Sequence, residues 1–409
     1  MDNYLLCAMP EMITGQSLEE KLRILPDYDE AIKQRSNSER LIALQDIYKV
    51  FIPNKMSREI YSKLYLSLLR SLQKKQSILA VRQFSENSKM IRQKSYESII
   101  GGSDSFTIIG PSGIGKSSAV SRAINILTET PVLDLGHTKI IACLQVQTPA
   151  DSSVKGLLLE ILRKTDEVLQ TTYHQNAVRS HATVDMLIGS VSQVALNHIG
   201  LLIVDEIQNV VNNKNGKTVI GTLTQLINNS GVSICMVGTP ESALFFDQTM
   251  MLARRSLGLS YSPMEYGDEF RSFCKALLDY CYVKTPPSVD ESILMWLYTH
   301  SSGNASVVVS LIHDAQELAI LEDWERLDIS TLNTAFEKRM AMLHDFITPA
   351  HTKIPPAKKK TAELPHITEE HCEYDFASIF QISMKAKELQ NNIVTELRRN
   401  EIPILEVAI

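Results

Sequence analysis

No apolar stretch in the 409 residues approaches the roughly 20 needed to cross a bilayer, so a membrane partner is not expected. The first residues lack a basic patch followed by an apolar core, so no leader is expected and the cytoplasm is the expected compartment. The six cysteines (Cys7, Cys143, Cys235, Cys274, Cys281 and Cys372) show no paired short spacing. That argues against a zinc site or a disulfide framework and for free, buried thiols. Positive charge is in short supply: 41 Lys and Arg stand against 47 Asp and Glu, a net charge of −6. That argues against a generally basic nucleic-acid binder and leaves room for a local basic face, especially one built by several subunits. What remains is ordinary for a globular protein, 44% apolar and 22% charged, at a length that suggests two or three domains.

The chain is organised around Phe106 to Ser118, F-T-I-I-G-P-S-G-I-G-K-S-S. An apolar strand-like run leads into Gly110-Pro111-Ser112-Gly113-Ile114-Gly115-Lys116-Ser117-Ser118, and a helix-like segment leads out to Leu127. Gly110, Gly115, Lys116 and Ser117 satisfy G-x-x-x-x-G-K-[ST]. Glycines let the backbone fold into a nest whose N–H groups meet phosphate oxygens, and the helix N-terminus adds its positive dipole end. In such a loop Lys116 reaches the β- and γ-phosphates and the Ser117 hydroxyl ligates Mg²⁺.

About ninety residues later Leu201 to Glu206 reads L-L-I-V-D-E, a buried parallel strand tipped by two acids. Asp205 is placed to hold Mg²⁺ through water, and Glu206 to orient or deprotonate the attacking water. An acid-tipped core strand can also be only a core strand; its place after a P-loop gives it the second meaning. ATP with Mg²⁺ is the expected ligand and hydrolysis the expected reaction. The next strand candidate, Val232 to Val237, ends in Gly238-Thr239-Pro240, where Thr239 is either a γ-phosphate sensor, a helix N-cap, or both. Arg254 and Arg255 come next. Either can reach a neighbouring subunit's γ-phosphate as a finger, or both can be solvated surface charge.

In chain order, residues 1–100 read as a helical region. Asp27 to Val50 is broken near Ser36, and Ser57 to Gln76 carries the stripe Ile60, Leu64, Leu68, Leu72. Phe51 to Asn54 reads as a turn, and Arg82 to Lys94 as a solvated basic helix face, with a nucleic-acid contact as the alternative. Residues 101–265 alternate strands (Ile140 to Val146, Leu201 to Val204, Val232 to Val237) with helices (Ser153 to Leu169, Val184 to Leu196, one through Leu223 to Ile227). That pattern predicts an α/β fold with a parallel sheet between helices. Residues 266–346 read as a lid of four helices, Phe270 to Tyr282, Val289 to Thr299, Ser306 to Leu321 and Thr331 to Phe346. Ala305 to Ser310, where a second sensor arginine is often found, hold no basic residue. Residues 347–409 are a Pro/Lys linker followed by an amphipathic segment, Asp375 to Arg399, and an apolar end. They are expected to dock on a partner, with folding back onto the lid as the alternative.

The chain resembles the TnsC/TniB family, the AAA+ ATPases that regulate target choice in bacterial DNA transposition. The likeness is carried by Leu25-Pro26-Asp27-Tyr28, Arg40-Leu41, Phe51 and Pro53, the P-loop, Asp166 to Tyr173, and above all Ile199 to Asn209. Gly238-Thr239, Ala253-Arg254-Arg255 with Gly258, and Ala315 to Ile320 complete it. Ser310 departs from the family's frequent lysine, which puts a nucleotide contact from that helix in doubt. The resemblance implies an AAA+ P-loop fold and a homo-oligomer, ring or helical filament, formed on double-stranded DNA in the ATP state. It also implies links to a target-selector protein and to transposase subunits, with hydrolysis resetting the assembly. In similar proteins the segment Asp134 to Lys139 faces DNA, which makes His137 and Lys139 candidates for phosphate contacts; a polar turn is the alternative. Two other classes compete with this reading: an ATPase of the replication-initiator or helicase-loader kind, and a signalling NTPase whose partner is protein alone.

Overall fold

A computed structural model describes residues 9–76, 105–128, 130–134, 139–151, 153–210, 216–242 and 258–340. Of Lys74, Val210, Gly216 and Lys217 only the backbone is described. The basic cluster Arg82 to Lys94, His137, Arg254, Arg255 and residues 347–409 lie outside the described residues. The chain divides into two compact units, Met1–His351 and Thr352–Ile409, and every described residue belongs to the first.

The described residues form six strands and twelve α-helices. Helices α1 (Gly15–Leu22), α2 (Asn37–Leu44) and α3 (Lys55–Gln76) precede β1 (Phe106–Ile109). Then come α4 (Lys116–Leu127), β2 (Val132–Asp134), β3 (Lys139–Gln147), α5 (Val154–Leu169), α6 (Tyr173–Arg179) and α7 (Val184–His198). β4 (Ile199–Asp205), α8 (Gly216–Ser230), β5 (Ser233–Gly238) and β6 (Leu259–Ser260) complete the sheet, in the order β2-β3-β4-β5-β1-β6. Every pair is parallel except the edge hairpin β2–β3. Parallel neighbours need long crossovers, and helices supply them here.

The strands are apolar at nearly every position because both faces are covered. Along β4, Leu201 and Ile203 enter one core with α3 and α4, while Leu202 and Val204 enter another with α5, α7 and α8. Side chains alternate across a strand, so one run feeds two cores. The predicted stripe of α3 is that first core's outer wall: Ile60, Leu64, Leu68 and Leu72 are fully buried. Each contributes about 1.5–3 kcal/mol by removal from water. Gly200 lets α3 approach, since a Cβ there would lie 2.6 Å from both Leu68 Cδ1 and the Ala142 carbonyl.

After the sheet come α9 (Asp268–Leu278), α10 (Glu291–Ser301), α11 (Ala305–Leu321) and α12 (Ile329–Arg339), four helices in the stretch expected to form a lid. Three of them start where short polar side chains satisfy the first free N–H groups. Asp290 accepts from Ser292 N and Ile293 N, Asn304 from Ser306 N, and Asp328 forms a capping box with Thr331. Their core gathers Phe270, Leu294, Leu311 and Leu332. The four described cysteines, Cys143, Cys235, Cys274 and Cys281, are free, and burial pushes the Cys143 and Cys274 thiols up to about 12.

One element differs from the sequence reading. Asp27 to Val50 is only partly α-helical: 3-10 turns at Glu30–Gln34 and Gln45–Lys49 flank α2, which Ser36 and Glu39 open with a capping box. Asp134 and Lys139, the ends of the segment expected to face DNA, pair in the antiparallel β2–β3 ladder, and residues 135–138 between them lie outside the described residues. The first seventy-odd residues also share their cores with later parts of the chain. α1 and α3 pack with the sheet, whereas Leu44 and Ile47 pack with the lid helices.

Arg40 shows what holds α2 to the lid. Its side chain is fully buried and grips the Glu325 carboxylate with both terminal nitrogens, at 2.7 and 2.6 Å. It also donates to the Tyr282 carbonyl at 3.1 Å and to Asn37 Oδ1 at 2.7 Å. The guanidinium holds the Glu325 carboxyl down to about 2. A depressed carboxyl stabilises the folded state above its unfolded pKa, and that contribution disappears as pH falls through the folded value. Unfolding followed from pH 6 downward should therefore show stability dropping between about 4.5 and about 2. Arg40→Met should destabilise by about 3 kcal/mol at neutral pH and weaken that acid dependence, since it removes the bidentate partner and leaves the carboxylate with Lys284, 3.0 Å away.

Candidate functional site

β1, β4 and β5 are parallel neighbours, so their C-terminal ends open on one edge of the sheet, the crevice where open α/β sheets bind ligands. Ile109 stands in register with Gly238, and the Gly110 N–H donates to the Gly238 carbonyl at 3.2 Å. This brings the start of the P-loop, Thr239 and Asp205 together from three distant parts of the chain. A cavity of about 210 Å³ lies among Ser112, Lys116, Ser117, Asp205, Glu206 and Thr239.

The loop turns into α4 through two residues with left-handed backbone, Gly113 (φ 82°) and Gly115 (φ 95°), a conformation that favours glycine. Lys116 is buried, and its Nζ donates to the Gly110 and Pro111 carbonyls at 2.7 and 2.8 Å. Burial pulls its pKa down while the carboxylates of Asp205, Glu206 and Glu241 push it up. The ammonium is thus already set among opposite charges at the mouth of the loop.

Asp205, 4% exposed, ends β4. One carboxylate oxygen accepts from the Glu206 N–H at 2.8 Å, the other from Gln145 Nε2 at 3.4 Å. Glu206 stands in the left-handed region (φ 57°), unusual for a residue with a Cβ, and this turns the chain out of the sheet into the 3-10 turn Ile207–Val210. Thr239 lies at the end of β5. Its hydroxyl is buried with no hydrogen bond of normal geometry among the described residues, though it is near enough to Glu241 to hold that carboxylate low. Buried hydroxyls are nearly always paired, so one held only by this approach to Glu241, in a residue that lines the cavity, can take a ligand or water as partner.

The lid closes over the loop. The Ser306 N–H, first turn of α11, donates to the Gly113 carbonyl at 2.9 Å, and Asn304 Nδ2 donates to the Ser112 carbonyl at 2.8 Å. Ala305 to Ser310 carry no arginine, so lid and P-loop communicate through these contacts to the loop backbone. Between the lid, the P-loop and the strand-like pair Ile24–Phe51 lies a second cavity of about 630 Å³, with Gly113, Gly115, Ser118 and Ser306 common to both cavities. Its apolar lining includes Val50, Phe51, Ile52, Met264, Phe273 and Val309. Phe51 to Asn54 read in the sequence as a turn, and nothing in the local pattern signalled that it walls a pocket.

Gly110 through Ser118, Asp205, Glu206 and Thr239 therefore converge on one place. Lys139 does not. It begins β3 on the far side of the sheet, exposed, with its carbonyl bonded to His198 Nδ1 at 2.9 Å. Asp166, from the family-like run, has a structural role. Its carboxylate accepts from Thr171 Oγ1 and from the N–H groups of Tyr173 and His174, closing the turn between α5 and α6.

Comparison with known proteins agrees with this geometry. Residues 100–244 match the family model described as AAA domain, a span that holds the P-loop, both acids and Thr239. No match was found among curated proteins. Among solved structures, the chain is similar to the ORC1 protein of Aeropyrum pernix in complex with DNA (14% identity, 63% of this chain and 64% of that one, TM-score 0.42). It is also similar to the ORC2 protein of Aeropyrum pernix in its ADPNP–ADP complexes (16%, 58% and 62%, TM-score 0.43). A third is domain III of the Thermotoga maritima replication initiation protein DnaA (12%, 64% and 92%, TM-score 0.38). The chain spans under two thirds of the length of the two Aeropyrum proteins. Likeness at this level says nothing about partners or activity.

Gly113 is the point where loop and lid meet. A Cβ there would sit 2.3 Å from Ser306 Oγ and 2.7 Å from Asn304 Oδ1, on a backbone that disfavours any side chain. Gly113→Ala should therefore cost about 1–3 kcal/mol and loosen the lid. Amide exchange at Ser306 and its neighbours, compared between wild type and variant, checks it; unchanged protection there would mean that the lid does not rest on the loop.

Proposed function

We propose that the chain binds and hydrolyses ATP, and that it works as a DNA-assembled AAA+ regulator of transposition. One observation carries the first part: the loop glycines, Lys116, Ser117, Asp205, Glu206 and Thr239, drawn from three distant segments, line one 210 Å³ cavity that shares Gly113, Gly115, Ser118 and Ser306 with a larger one of mixed lining. The pair of cavities suits a phosphate chain attached to a flat base. The donor set fits Mg²⁺ as well: a hydroxyl at the head of a helix and a carboxylate across from it, both oxygen ligands. That ion, held by Ser117 and by Asp205 through water, would neutralise charge on the β- and γ-phosphates. Lys116 exchanges its two carbonyl partners for phosphate oxygens. Glu206 orients the attacking water, and the unpaired Thr239 hydroxyl takes its place between that water and the γ-phosphate.

The second part rests on the resemblance, most of all on Asp205-Glu206-Ile207-Gln208-Asn209. In this reading the ATP-bound protein assembles on double-stranded DNA as a ring or helical filament and joins a target-selector protein to transposase subunits. Arg254 or Arg255 completes the neighbour's site, His137 and Lys139 touch DNA phosphates, and residues 361–409 recruit the partner. Hydrolysis then resets the assembly.

Turnover measured against protein concentration, with and without random duplex DNA, tests both parts. Lys116→Ala should abolish nucleotide binding, and Glu206→Gln should keep binding while lowering kcat by about a hundredfold or more. Wild-type specific activity should rise with concentration and with DNA, and images of the ATP-analogue complex should show ordered assemblies on the duplex. Activity flat with concentration and indifferent to DNA would leave a protein-only ATPase; an undiminished rate in Glu206→Gln would remove that residue from the chemistry.

A further inference from the structure

Gln208 plays no part in the proposed chemistry, yet it is the side chain that touches Glu206. Its Nε2 donates to Glu206 Oε2 in a short hydrogen bond, the one side-chain partner of that carboxylate among the described residues. Amide orientation is dictated by chemistry here: turned the other way, Gln208 would set a carbonyl oxygen against a carboxylate. The consequence is that Gln208 Oε1 is buried with no partner among the described residues. A methionine of similar length would fill the space with no orphaned oxygen, so packing alone does not explain an amide at this position.

The rest of the turn is braced around the same pair. The left-handed backbone of Glu206 is held by its N–H on Asp205 Oδ1 at 2.8 Å and by its carbonyl, which accepts from Asn209 N at 3.0 Å. Asn209 Nδ2 in turn reaches the Thr148 carbonyl at 3.0 Å, and the Thr148 N–H donates to the Asp205 carbonyl at 2.9 Å. Backbone bracing fixes where Glu206 starts; the carboxylate at the end of its three rotatable bonds needs a separate hold. Gln208 is itself confined by Gly238, where a Cβ would come within 3.1 Å of Gln208 Oε1 and 2.5 Å of Ile207 Cγ2. The amide therefore lies against the end of β5, in space that any side chain at position 238 would take.

We infer that Gln208 is a positioning residue for hydrolysis: its amide pins one carboxylate oxygen of Glu206 and leaves the other directed at the attacking water. The inference rests on the reading of Glu206 as the group that orients this water. Preorganised geometry of this kind is where a misplaced group loses rate without losing affinity.

Steady-state hydrolysis by the full chain with Mg²⁺ and ATP, at a concentration where wild-type activity is maximal, tests it. Gln208→Met should lower kcat at least about tenfold, as expected for losing a hydrogen bond to a charged group, with KM for ATP and the melting temperature unchanged. Gln208→Glu, which keeps the shape and sets two carboxylates together, should be slower still. In the Glu206→Gln background Gln208→Met should cost no further factor, because a residue that acts only through Glu206 has nothing left to position. A wild-type rate in Gln208→Met, a raised rate, or an equal additional loss in the Glu206→Gln background would each overturn the inference. A wild-type protein that does not hydrolyse ATP would overturn the reading of the site along with it, whereas active wild type beside fully active Gln208→Met overturns this inference alone.

Discussion

The hydrogen bonds that hold β5 between β4 and β1, all three running the same way, align the ends of three segments that lie far apart in the chain. Gly110 is tied to Gly238, Thr239 follows at once, and Asp205 ends the next strand over. A slip of one residue in either pairing would turn every side chain of a strand to the opposite face. Leu201 and Leu202, which belong to different cores, would then exchange places. Packing on both faces therefore enforces the register, and the register delivers the loop, the acids and the threonine to one cavity.

The lid extends the same logic with weaker bonds. It reaches the P-loop through a few hydrogen bonds at Ser112 and Gly113, and it is bound to the N-terminal segment by the buried Arg40–Glu325 pair. The stretch from Leu22 to Asn54 thus connects sheet and lid: Leu22 and Phe51 pack with the former, Leu44 and Ile47 with the latter. The larger cavity lies where these parts meet. A ligand bridging them would couple lid position to occupancy of the P-loop without a sensor arginine. Coupling of this kind is a difference in contacts between two arrangements of the lid.

The chemistry is preorganised in proportion to how tightly each group is held. Asp205 and Lys116 are buried and multiply bonded before any ligand enters. Glu206 is held in an unfavourable backbone conformation, a cost that surrounding hydrogen bonds must offset. Thr239 and Gln208 each carry a buried oxygen without a partner among the described residues. Such oxygens occur elsewhere too, at Ser192 and Ser233, but at this rim they lie beside the strained Glu206 and the cavity.

Much of this was legible in the residues themselves. The P-loop, the acid-tipped strand, the alternation of strand and helix, the stripe of α3 and the four lid helices all rest on local patterns: periodicity, caps and turn glycines. The same locality explains what was not legible. Phe51 reads as part of a turn until it packs beside the sheet core, and nothing near Arg40 in the chain signals Glu325, 285 positions later, which pairs with it. The edge strand β2 is too short for a period to show, and its antiparallel pairing with β3 is what makes it a strand. Ser306 carries no sequence signal for the P-loop, because its contact with Gly113 depends on how α11 is placed rather than on any spacing in the chain. Local chemistry is written in neighbouring residues, so the sequence determined the nucleotide-binding loop and its acids. Which distant side chains meet them depends on the packing of whole elements, and that was decided only by the tertiary structure.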